Sequence, residues 1–163
     1  MPNSMTTLED HDYMAIAIEE AKKAAAIGEV PIGAIIVRNG EIVGSGYNKR
    51  ETARDPLAHA ELMAIKKASE SLGGWRLLDT TLYVTLEPCP MCSGAIVQAR
   101  IPRIVYGAMD PKAGCAGSLM NLLQDPRFNH QVEITQGVME EECGLLLKDF
   151  FRALREKRKK KDD

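Results

Sequence analysis

Between residues 7 and 27 apolar side chains return every three to four positions: Tyr13, Ala17, Ala21 and Ala24 share one stripe, with Met14, Ile18 and Ala25 beside it. That spacing predicts an amphipathic helix from about Thr7 to Ile27. Gly28 supplies its C-terminal stop. The period then shortens. PIGAIIV and EIVGSGYN read as two strands, and Asn39-Gly40 between them accepts the positive φ angles of a type I′ hairpin turn. From Ala58 to about Ser71 the pattern is helical again. A short strand at Leu82 to Leu86, a helix over CPMCSGAIVQAR and a strand at RIVYG follow. Strand and helix in alternation imply crossover connections and parallel pairing in that part of the sheet. Beyond the loop DPKAGCAGS the chain predicts a short helix near Leu119 to Leu123, a strand at Gln131 to Gln136 and a last helix from Met139. The expected architecture is α/β, a mixed sheet of about five strands with helices on both faces.

Composition adds limits to this picture. A chain of 163 residues, 45% hydrophobic and 27% charged, suits a single domain over 1–163 with one core and no need of disulfides. With 5% aromatic residues, that core is mainly aliphatic. No stretch reaches the ~20 apolar residues of a membrane span, and MPNSMTTLEDHDYM does not have the form of a secretory leader, so a cytosolic (cytoplasmic) location is expected. Either Met1 or Met5 can serve as the natural start. In a reducing compartment the cysteines at 89, 92, 115 and 143 are not expected to pair as disulfides, so the C-x-x-C of Cys89 and Cys92 is read as a metal or redox motif, while Cys115 and Cys143 are assigned to packing. The formal charge of −2 gives no global signal for nucleic acid. The end KDFFRALREKRKKK is basic, however, and 156–163 is expected to be a frayed terminus. Its cations suit either the negative end of a helix dipole or RNA phosphates.

The chemistry concentrates in two segments, His59-Ala60-Glu61 and Pro88-Cys89-Pro90-Met91-Cys92. Each is placed to open a helix, so that first-turn side chains and free backbone N–H groups converge at one end of the sheet. Ligands of type N, S and S suit zinc, which accepts imidazole and thiolate in tetrahedral geometry. Three ligands leave a fourth position for water, as catalytic sites do. A closed structural site would recruit a fourth from Cys115, Cys143, His130 or His11, none of which forms a second paired motif. Glu61, two residues beyond His59, can reach a metal-bound water without coordinating the metal, and so can shuttle protons. A thioredoxin-like redox pair is the other reading of C-x-x-C, but it leaves the HAE segment without a role. The H-x-E…P-C-x-x-C pairing is a known signature of zinc deaminases acting on nucleobases.

Nearly the whole chain resembles the bacterial tRNA-specific adenosine deaminases of TadA type, in the cytidine/deoxycytidylate deaminase superfamily. The matching segments are AIEEAKKA, GEVPIGAIIV, the Asn48 segment, AHAE, TLYVTLEPCPMC, RIPRIVYGAMDPKAG, GSLMNLL, NHQVEI and DFFRALR, in the family order. HAE and PCxxC alone fit cytidine, deoxycytidylate or guanine deaminases equally; GSLMNLL and the FFR-containing last helix favour tRNA. The resemblance implies a three-layer cytidine-deaminase-like fold, one zinc per subunit and a homodimer. It also implies hydrolytic conversion of adenosine to inosine at the wobble position of a tRNA anticodon, by zinc-bound hydroxide. It places His59, Cys89 and Cys92 on the zinc ligands, Glu61 on the general acid/base and Asn48 on the amide that reads a flipped-out base. Flanking nucleotides need stacking surfaces and cations, for which Phe151 with Arg155, one helical turn apart, and Lys112 are the candidates. The alternatives are a deaminase of a free base or nucleotide, such as guanine or deoxycytidylate, and a non-catalytic zinc module that binds RNA.

Overall fold

In the computed structural model, which describes residues 8–162, four helices enclose a five-stranded sheet. Helix α1 spans Asp10–Ala26, strands β1 and β2 span Gly33–Arg38 and Glu41–Tyr47, and α2 spans Ala60–Leu72. Strand β3 (Thr80–Leu86), α3 (Pro90–Gln98), β4 (Arg103–Ala108), β5 (Glu133–Gln136) and α4 (Glu140–Asp162) complete the order, with a 3-10 turn at Leu122–Gln124. The expected start of the first helix at Thr7 lies outside the described residues. Within them α1 begins at Asp10, where Glu9 and Asp12 form a reciprocal capping box. Gly28 stands just past its end at φ 81°. Asn39 and Gly40 both have positive φ, as the hairpin turn requires.

The strand order is β2-β1-β3-β4-β5. Strand β1 is antiparallel to β2 and β3, whereas β3, β4 and β5 are mutually parallel. The first crossover differs from simple neighbour pairing. Strands β2 and β3 run the same way, but β1 lies between them, because the tight Asn39-Gly40 turn pairs β1 with β2 before α2 can return the chain.

Alternation along the strands divides the core in two. Ala34, Ile36, Leu82, Val84, Ile104 and Tyr106 face α2 and α3, while Ile35, Val37, Tyr83 and Val105 face α1 and Cys143 of α4. The three-layer architecture therefore follows from a period of two read on both faces. Helix α2 lies unusually close to β2. A Cβ on Gly44 would stand 2.3 Å from the Ala64 carbonyl oxygen, and one on Gly46 2.6 Å from that of Ala60. Among the described residues no helix is long and apolar enough to cross a membrane.

Candidate active site

His59 and Cys89 are the N-cap residues of α2 and α3, and neither makes a side-chain capping hydrogen bond. Ser, Thr, Asp or Asn at these positions would cover the free N–H groups. Here the two side chains turn to each other instead, and the positive ends of both helices face the space between them. Pro90, at the first turn of α3, loses nothing by having no N–H there.

The His59 Nδ1 atom lies 3.7 Å from Cys89 Sγ and 3.5 Å from Cys92 Sγ. All three ligand atoms fall within 4.8 Å of one another, in the one such metal-ready group among the described residues. Zinc bonds of about 2.0–2.1 Å to nitrogen and 2.3 Å to sulfur, at a tetrahedral angle, put N and S about 3.6 Å apart. The residues therefore fit the metal, with Nδ1 as the ligating nitrogen. The Cys89 thiol fits it chemically as well. A hydrogen bond from Cys92 draws the Cys89 thiol down to about 4, the thiolate form that metals bind, and holds Cys92 above its ordinary value. A hydrogen bond with Cys89 likewise raises His59.

Glu61 is 4% exposed, and burial pushes its carboxyl up to about 7, with the negative charge of Cys89 adding to the effect. It lines a cavity of about 190 Å³ together with His59, Cys89, Asn48, Arg50, Val30 and Asp110. This is below the roughly 300–1,000 Å³ of drug-sized sites, a space for one heterocycle rather than a whole nucleotide. Asn48 is held in one orientation: its Nδ2 donates to the Val30 carbonyl at 3.3 Å, and its Oδ1 accepts from the Arg50 N–H at 3.2 Å. One donor hydrogen and one acceptor lone pair remain, enough to read a base edge.

The RNA-contact candidates lie elsewhere. Lys112 is exposed on the loop after β4 but does not line the cavity, although its neighbours Asp110 and Ala113 do. Phe151 is 41% exposed on α4, and Phe150, edge-on to it, is the more buried of the two. Arg155 is exposed one turn further on. Three residues at the site carry no motif signal: Arg50 and the buried carboxylate Glu87 on the cavity wall, and the buried carboxylate Glu29 behind it. The last two are legible only as charges at the ends of apolar runs, in GEVPIGAIIV and TLYVTLEP.

A mixed five-stranded sheet between two helical layers, with a His/Cys/Cys cluster at two helix starts beside a buried glutamate, defines a deaminase of the cytidine-deaminase-like class. The MafB19-like deaminase family model matches residues 8–155. The tRNA-specific adenosine deaminase of Bacillus subtilis (strain 168) is 59% identical over 151 residues, 93% of this chain and 94% of the relative. The Haemophilus influenzae enzyme of the same name is 46% identical over 151 residues, covering 92% and 87%. A solved structure from work on A-to-I editing by tRNA:A34 deaminases at the wobble position superimposes with a TM-score of 0.80 at 41% identity, over 83% of this chain and 99% of that one. A guanine deaminase from Nitrosomonas europaea, 21% identical with a TM-score of 0.76, covers 89% of this chain and 86% of its own and shares the fold. The chain belongs to the family of tRNA-specific adenosine deaminases.

Proposed function

We propose that this protein hydrolyses adenosine to inosine and ammonia at the wobble position of a tRNA anticodon. The observation that carries the chemistry is the spacing of His59 Nδ1, Cys89 Sγ and Cys92 Sγ for a tetrahedral metal, in the cavity that Glu61 lines. Relatives acting on tRNA, at up to 59% identity over most of the chain, support the substrate. The three ligands would hold one zinc per chain, which when bound lowers the pKa of a water from about 15.7 toward 7 and so supplies hydroxide at neutral pH. Glu61 accepts the proton of the attacking water and delivers it to N1 of the adenine as C6 is attacked. Glu61 then takes the proton of the new C6 hydroxyl and passes it to the exocyclic nitrogen, which leaves as ammonia while the C6 carbonyl of inosine forms.

An adenine stacked among its neighbours cannot enter a cavity of this size. The base must rotate out of an unpaired loop, where unstacking is least costly. Asn48 then meets its edge with the donor and acceptor that the protein leaves free. Lys112, Phe151 and Arg155 lie outside the cavity, where flanking nucleotides and phosphates would pass. Pairing of two chains as a homodimer is supported by the family resemblance and by large exposed apolar side chains, among them Trp75, Leu119 and Met120. The test is incubation with unmodified tRNA and with free adenosine, cytidine and guanine. Inosine in the anticodon with little release of ammonia from the free compounds is expected; comparable release from the small substrates would refute the tRNA assignment.

A further inference from the structure

Two carboxylates beside the cavity take no part in the chemistry above, although each is only 2% exposed. Burying a carboxylate is costly unless hydrogen bonds replace its water. Glu29 precedes β1 and accepts hydrogen bonds from the Glu51 and Thr52 N–H groups, at 3.3 and 2.5 Å. Glu87 follows β3 and accepts from the N–H groups of Asp110, Ala116 and Ser118 at 3.0, 3.1 and 2.9 Å, and from the Ser118 hydroxyl. Four bonds fill the acceptor capacity of a carboxylate, so Glu87 keeps no lone pair with which to move a proton.

The arrangement repeats across the sheet. Glu29 leads into β1 and Glu87 leaves β3, which are neighbours in the sheet, while β2 and β4, on either side of that pair, lead into the loops that the two carboxylates hold. The loop after β2 brings Asn48 and Arg50 to one side of the cavity, and the loop after β4 brings Asp110 and Ala113 to the other. The second loop wraps its anchor closely: a Cβ on Gly114 would stand 2.3 Å from Glu87 Cδ and 2.5 Å from the Asp110 carbonyl oxygen.

From this geometry we propose that Glu29 and Glu87 are positioning residues, which govern substrate binding by fixing the two loops that flank the entrance. The role rests on the proposed deamination of tRNA. Glu29 lies behind the cavity wall and Glu87 stands on it, but the oxygens of Glu87 are taken up by the loop, so each acts through backbone whose neighbouring side chains meet the substrate. A glutamine at either place keeps the shape but aims an NH2 group at backbone donors that need an acceptor, so the loop is released.

The experiment compares the parent with Glu29→Gln, Glu87→Gln and Gly114→Ala for steady-state kinetics on tRNA, equilibrium tRNA binding and zinc content. The expected result is a KM and a dissociation constant raised roughly ten- to a hundredfold, with kcat within about threefold and zinc retained. Gly114→Ala disturbs the Glu87 clasp without placing a new polar group inside, so it carries the test should a glutamine variant fail to fold. A fall in kcat at unchanged KM would make these residues part of the chemistry and overturn the proposal, as would parent-like KM and affinity in all three variants. A parent protein that leaves the anticodon adenosine unconverted refutes the proposed function and this role together. An active parent with unaffected variants refutes the loop-holding role alone.

Discussion

Replacing Gly46 by alanine tests whether the close approach of β2 to α2 places the metal ligand. The new Cβ would lie 2.6 Å from the Ala60 carbonyl oxygen and 2.7 Å from Met63 Cβ. Ordinary contact begins at 3.4 Å, so the helix start must retreat by about 0.8 Å unless the strand yields. His59 immediately precedes Ala60, and zinc–ligand distances tolerate only about ±0.2 Å. We expect Gly46→Ala to lose about 1–3 kcal/mol of stability, as overpacked cores do, and at least tenfold in zinc affinity. Gly44→Ala, against Ala64 and Ala68 one turn further along α2, should cost similar stability with a smaller effect on zinc. Gly144→Ala is the control. It lies within α4, where a Cβ meets nothing within 4 Å, and relief of the glycine penalty should stabilise the protein by up to about 1 kcal/mol. Urea unfolding and competition with a zinc chelator measure the two quantities separately. If Gly46→Ala loses stability but binds zinc like the parent, the strand absorbs the strain and α2 packing does not set the metal geometry.

Glu61→Gln should retain zinc and tRNA affinity while turnover falls by about 10²–10⁴-fold, since an amide cannot shuttle a proton; turnover within a few-fold of the parent refutes the role. Cys89→Ala should lose both metal and stability, and stoichiometric zinc in that variant by elemental analysis removes Cys89 from the site. Asp10 accepts two hydrogen bonds from Arg103, at 2.9 and 2.6 Å, and one from Tyr83, and the Arg103 bonds hold its carboxyl below the ordinary 3.8. A lowered folded-state value stabilises above the unfolded one and fades as pH falls through the folded one. Asp10→Asn should therefore cost about 1 kcal/mol at pH 7, a modest amount because the Asp10 and Arg103 side chains stay 34% and 26% exposed. The difference should vanish in acid, and a pH-independent difference in urea midpoint contradicts this account. Deleting residues 157–163 should flatten the slope of log tRNA affinity against log salt by about 0.7 per lost phosphate contact, and Arg155→Ala should weaken binding even at low salt with zinc intact. Three superimposable lines for parent, truncation and Arg155→Ala would reduce this helix end to a solvated terminus.

Local signals carried far in this chain. Periods of two and near four mark the strands and helices, and Asn39-Gly40 marks the hairpin, because these patterns follow from backbone geometry within a few residues. HAE and PCxxC are as legible, since a metal demands particular atoms at short spacing. Neighbouring residues cannot say what lies across the sheet. The place of β1 between β2 and β3, the choice of Nδ1 over Nε2 in His59, and the need for glycine at 44 and 46 all depend on contacts between distant segments. Glu29 and Glu87 make the same point. In the sequence they are single acids beside apolar runs, and only the folded chain brings them to the loop N–H groups of residues 51–52 and 110–118, where low exposure and filled hydrogen bonds give a buried charge its purpose. A motif is written where one stretch of chain supplies all its atoms, whereas the supports that aim it come from whichever segments the core packs nearby.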